Sequence, residues 1–80
     1  MRTTPYFDDS RKRRGRDTIR LEWIRRVVAH PEAMIIQKDG RVRLWGYIVE
    51  ANRYLRVVLL EDGETIHNAF FDRNYGRIRK

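Results

Sequence analysis

The chain contains no cysteine, which excludes disulfide staples and thiolate metal sites and matches the usage of a reducing cytoplasm. Its two histidines, His30 and His67, stand 37 positions apart with no carboxylate cluster near them, a poor ligand set for zinc. No metal and no other cofactor is expected. There is no glycine-rich phosphate loop and no Gly-x-Ser-x-Gly. The lone serine, Ser10, has no partner that would make it a nucleophile. The longest apolar runs, Ala33 to Ile36 and Val57 to Leu60, are four residues each, too short for a membrane span or the apolar centre of a signal peptide. Lysine is scarce too.

That scarcity has a counterpart. Eighteen cations face 11 acidic residues for a net charge of +7, and arginine outnumbers lysine 15 to 3. Solubility alone would be served by either cation. Arginine adds a planar fork of donors and a surface that stacks on rings, so the bias points toward phosphate or nucleic acid. Eighty residues make one domain, 1–80, whose core contributes only a few kcal/mol of net stability. Residues 1–5 carry no periodic signal, and 75–80 form a basic tail with Tyr75, Arg77, Arg79 and Lys80. Both ends are expected to be flexible.

Acidic Asp8 and Asp9, then Arg11 to Arg14, then Gly15 suit a short helix over 8–16 and its dipole. A second helix opens at Asp17 or Thr18. It repeats Ile19, Trp23, Ile24, Val27 and Val28 at helical spacing and stops at His30-Pro31. His30 is placed to cap that helix end. Four strand-like runs follow, near 34–38, 41–49, 53–60 and 65–71. Asp39-Gly40 and Asp62-Gly63 mark tight hairpins, and Ala51-Asn52 a weaker turn. The expected fold class is α+β, with two N-terminal helices packed on a four-stranded antiparallel meander.

Two-residue turns would set Tyr47 opposite Arg56, Trp45 opposite Val58, and Val58 opposite His67. Side chains alternate between faces with a period of two. Arg41, Arg43, Trp45, Tyr47, Tyr54, Arg56, Val58, His67 and Phe71 then share one face. Val42, Leu44, Gly46, Ile48, Leu55, Val57, Leu59, Ile66, Asn68 and Phe70 share the other, which the helices should cover. A one-residue slip would exchange the faces of a strand. The first face is basic and aromatic, suited to gripping a phosphate backbone and stacking on unpaired bases.

Such a cluster can be read three ways. Metal-free RNA cleavage needs a base for the 2′-hydroxyl, a cation for the growing phosphate charge and an acid for the leaving oxygen. Arg56 suits the middle task, His67 the proton transfers, and Tyr47 is a weaker acid or base. Arg41, Arg43, Trp45, Tyr54 and Arg73 would hold RNA, with Trp45 stacking a splayed base and Arg13 on the first helix extending the electrostatic track. The second reading is RNA or partner binding without catalysis. The third is an ordinary sheet surface with arginine–ring contacts.

The order of these signals resembles a family. A basic helix, the helix Trp23-Ile24-x-x-Val27-Val28-x-His30-Pro31, then Asp39-Gly40-Arg41, Tyr54-Leu55-Arg56-Val57-Val58 and Asp62-Gly63 are similar to small bacterial toxin-like proteins of poorly defined function. Those proteins are related to BrnT-type toxins and more distantly to RelE/ParE toxins. The resemblance covers about 11–73. It implies a RelE-like fold, a cytoplasmic setting and a neighbouring antitoxin. It also implies a toxin that cuts messenger RNA, in many members on the ribosome, with Arg56, His67 and Arg73 or Tyr75 in the working positions. This chain departs from that pattern in its scarcity of lysine and its lack of an acid–base pair near the C-terminus.

Overall fold

A computed structural model describes residues 2–14 and 19–75. Helix α1 spans Pro5–Arg14 and α2 spans Leu21–Ala29. Strands β1 (Ala33–Ile36), β2 (Val42–Ile48), β3 (Arg53–Leu59) and β4 (Ile66–Phe71) form one antiparallel sheet in the order β1-β2-β3-β4. The α+β architecture with a four-stranded meander is as the sequence predicts.

Helix α1 begins three residues earlier than its charge pattern suggests. Thr4 is the reason, because its hydroxyl accepts the Phe7 N–H at 3.1 Å. Pro5 occupies the first helical position, where its missing N–H costs nothing. The stretch expected to fray is tied down as well. Thr3 bridges Ile66 in parallel, Ile66 N–H donates to Arg2 O at 2.9 Å, and Thr4 N–H donates to Ile66 O at 3.0 Å. Residues 2–4 thereby pair with the start of the outer edge of β4, at Ile66. The predicted start of α2 at Asp17 or Thr18 lies outside the described residues. Its end is at His30, whose backbone N–H donates to Arg26 O at 3.0 Å.

Phe7, Ile19, Trp23, Ile24 and Val27 pack on Leu44, Ile48, Leu55, Val57, Leu59, Ile66 and Ala69 to form the core. Helix α2 comes so close to β2 that a Cβ on Gly46 would stand 2.9 Å from Val27 Cγ2. A residue with no side chain is what lets the helix seat there. The helices cover the predicted apolar face.

The turns differ in detail. At the first hairpin Gln37 N–H bonds Arg41 O at 2.8 Å, so the loop has three residues, and only Gly40 takes positive φ, +92°. The second hairpin is a four-residue loop with Asn52 at φ +53°, a conformation asparagine tolerates. It pairs Tyr47 with Tyr54 and Trp45 with Arg56, a slip of two positions. An even slip leaves the faces as predicted. At the third hairpin Leu60 N–H bonds Thr65 O at 2.9 Å, and Leu59 pairs with Ile66, in the predicted register. Beyond that the register shifts, with Val58 against Asn68 and Arg56 against Phe70. His67 is the extra residue of a β-bulge.

The bulge corrects the face assignment of β4. Asn68 and Phe70, expected in the core, join the Arg56 side. Ala69 and Phe71 turn toward the helices, and Phe71 packs against the core. A bulge re-aims every side chain that follows it.

Candidate nucleic-acid interface

The sheet face opposite the helices collects Arg43, Trp45 and Tyr47 from β2, Tyr54 and Arg56 from β3, and Phe70 from β4. The chain then turns back over it. After β4, Asp72 Oδ1 accepts the Tyr75 N–H at 3.2 Å where helical backbone begins, described over 73–75. Aspartate is a favoured residue at such a start. The turn delivers Tyr75 onto the sheet. Its ring stacks on Trp45 at 5.1 Å and 13° and meets Tyr54 edge-on at 4.9 Å. Tyr47 packs edge-on against Tyr54 at 5.1 Å. The Tyr75 hydroxyl donates to Glu32 Oε2 at 3.1 Å, linking this turn to the start of β1.

Trp45 is consequently only 5% exposed. It pairs through its backbone with Arg56, and its Nε1 donates to Asp72 Oδ2 at 3.0 Å. An open tryptophan ready to stack a splayed base is therefore not what the fold presents. Arg56 lies over two rings, 5.7 Å from the Trp45 centroid and 5.0 Å from that of Phe70. Its Nη1 stands 3.7 Å from Asp72 Oδ2. The buried Nε has no hydrogen-bond partner among the described residues. Burial first, and the nearby positive charge of Arg43 second, lower the Arg56 pKa, while Asp72 opposes them. Burial alone would raise the Asp72 carboxyl. The Trp45 and Tyr75 hydrogen bonds and the Arg56 charge outweigh it and hold the carboxyl below its usual range.

The remaining predicted residues fall into four places. Tyr47 is exposed, its hydroxyl donating to Asn52 Oδ1, and Tyr54 is half-buried between its ring neighbours. Arg43 is also half-buried, and with its amide oxygen turned inward Gln37 accepts from Arg43 Nε at 2.8 Å. Arg41 sits beside the first hairpin, 3.8 Å from Asp39, and Arg73 is exposed on the helical turn. Arg13 belongs to α1, and its side chain lies outside the described residues.

His67 keeps separate company. Its ring stacks on Tyr6 at 4.9 Å, and its Nδ1 lies 3.2 Å from the Thr4 hydroxyl. Its neighbours belong to the N-terminal segment and α1, whereas those of Arg56 are Trp45, Phe70 and Asp72. The structure gathers Arg43, Trp45, Tyr47, Tyr54 and Arg56 into one connected cluster and ties His67 elsewhere. Sequence reasoning missed Asp72 and Phe70 as members of that cluster, and named Tyr75 only through the family resemblance, as an alternative to Arg73. The available signal was Asp72 itself, a helix-start residue directly after a strand.

Among the described residues, no group of three His, Asp or Glu side chains forms a metal site. No helix among them is long and apolar enough to cross a membrane. No family model, curated protein or solved structure matches the chain.

Proposed function

We propose that this protein binds single-stranded RNA across the face built by Arg43, Tyr47, Tyr54, Arg56 and Tyr75, without cutting it. One observation carries the reading. Arg56 is braced by two rings and a carboxylate, with 22% of its side chain still exposed. A braced guanidinium presents donors to phosphate with little rotamer entropy left to lose. Tyr47, 42% exposed, and half-buried Tyr54 and Tyr75 supply ring surface beside it, and bases of any identity stack on such rings. Proton transfer needs acid and base within reach of one phosphate, and the contacts of His67 lie at α1.

The second reading is a RelE/BrnT-like toxin that cleaves messenger RNA, on or off the ribosome, and is silenced by a cognate antitoxin in the cytoplasm. Two features favour it: two helices leading into an antiparallel meander, and an arginine held rigidly on the central strand β3. Tyr47 shares the Arg56 face, whereas catalysis by Arg56 with His67 requires RNA to bring the two together.

Binding of a fluorescent single-stranded RNA, measured by anisotropy against salt, tests the first reading. Wild type should bind, and Arg43→Ala should weaken binding and reduce the slope of log K against log salt by about 0.7. No binding at low salt would refute it. New RNA ends with wild type, lost in His67→Ala with an unchanged melt, would replace it with the toxin reading.

A further inference from the structure

We infer that the outer edge of β1 is a self-association surface, on which a second copy of this chain adds its own β1 antiparallel to form a continuous eight-stranded sheet. The two sheet edges are treated differently. Residues 2–4 pair with Ile66 at the start of the β4 edge, whereas among the described residues nothing pairs with the far side of β1. The Gln37–Arg41 hydrogen bond and the β1–β2 register fix which backbone groups point outward. Antiparallel pairs alternate between bonded and non-bonded. Ala33, Ile35 and Gln37 therefore direct their N–H and C=O groups to β2, and Met34 and Ile36 direct theirs away from the sheet.

The side chains on this open edge are apolar on both faces. Met34, Ile35 and Ile36 are 59%, 52% and 64% exposed, and an uncharged edge of this kind is a template for pairing. Charge complementarity selects the occupant. In an antiparallel copy centred on Ile35, Met34 lies opposite Ile36 of the second copy, and the two exchange backbone hydrogen bonds. Ile35 meets Ile35, and Glu32 comes opposite Lys38 of the second copy. From Glu32 through Ala33, Met34, Ile35, Ile36 and Gln37 to Lys38, the edge has an acid at one end, a base at the other and an apolar centre, the self-complementary pattern that two-fold pairing requires. An axis through Ile35 runs perpendicular to the sheet, so the basic-aromatic faces of both copies lie on one side. The interface does not depend on what those faces bind.

A four-residue strand buries far less than the roughly 1,600 Å² of a standard interface, so the dimer should be weak. The two copies also carry +7 each. Salt screens that repulsion and should strengthen the dimer, the opposite of its effect on RNA binding.

Sedimentation equilibrium of the full chain, from micromolar to millimolar, measures the association. Wild type should shift toward dimer with concentration, more so at about 0.5 M than at about 0.1 M salt. Ile36→Pro deletes an outward N–H while keeping every β1–β2 donor, and Ile35→Asp sets two carboxylates face to face. Each should weaken association by about tenfold or more. Val49→Asp changes an exposed apolar residue outside β1 and should leave association unchanged. A wild type that stays monomeric throughout would overturn the inference. So would a dimer that Ile35→Asp and Ile36→Pro leave intact, or one that Val49→Asp disrupts equally.

Discussion

Asp72 is the residue on which the rigidity of the basic-aromatic face turns, and two substitutions separate its two tasks. Asp72→Asn removes the charge beside Arg56 and leaves one oxygen, which can stay on Trp45 Nε1 but then gives up the Tyr75 N–H, because the two donors use Oδ2 and Oδ1 separately. Asp72→Ala removes the charge and both oxygens. Two unit charges about 4 Å apart attract by about 4 kcal/mol at an effective dielectric of about 20. Desolvation of both partners cancels most of that gain, so loss of the charge should cost about 1 kcal/mol. Alanine also orphans the N–H of a tryptophan that is 5% exposed, adding about 1–3 kcal/mol. At this chain length each kcal/mol corresponds to about 4–8 °C in Tm. Denaturant melts followed by tryptophan fluorescence should therefore rank wild type above Asp72→Asn, and Asp72→Asn clearly above Asp72→Ala. With its carboxylate gone, Arg56 also meets phosphate unopposed, so Asp72→Asn should tighten RNA binding and steepen the salt slope by up to about 0.7. An Asp72→Ala protein within about 0.5 kcal/mol of wild type would show that the clamp is not what holds the C-terminal turn on the sheet.

Two further outcomes follow from local geometry. Gly46→Ala places a Cβ 2.9 Å from Val27 Cγ2 and should cost about 1–3 kcal/mol by overpacking. Val27→Ala in the same chain should recover part of that loss, a coupling that a double-mutant cycle on thermal melts would reveal. Glu50 makes two hydrogen bonds with Arg26, both at 2.9 Å, and these hold its carboxyl down at about 2, from an ordinary 4.5. A depressed carboxyl stabilises the fold above its unfolded value and loses that contribution as pH falls toward its folded value. Stability should thus decline between pH 4.5 and about 2, and Glu50→Gln should flatten part of that decline in acid melts. Asp62, lowered to about 2 by Thr65 and the loop amides, and Asp72, also lowered, would add to it.

What the sequence determined by itself is what local rules reach. Alternation along Val42–Ile48 and Arg53–Leu59 separates an apolar from a basic-aromatic face. A two-position error at the Ala51-Asn52 turn left that separation intact, because side-chain direction has a period of two. Helix α2 was equally legible from its apolar spacing and its His30-Pro31 stop. The tertiary structure decided whatever depends on residues distant in the chain. Whether β4 continues straight or bulges at His67 is settled where Thr4 and Tyr6, some 60 positions away, meet the His67 ring. Trp45 reads as an open stacking platform in its strand and becomes a buried one because Tyr75 folds back upon it. Edge status follows the same logic. The runs at β1 and β4 look alike as strands, and only the tertiary pairing of residues 2–4 with Ile66 occupies the start of one edge and leaves the other open.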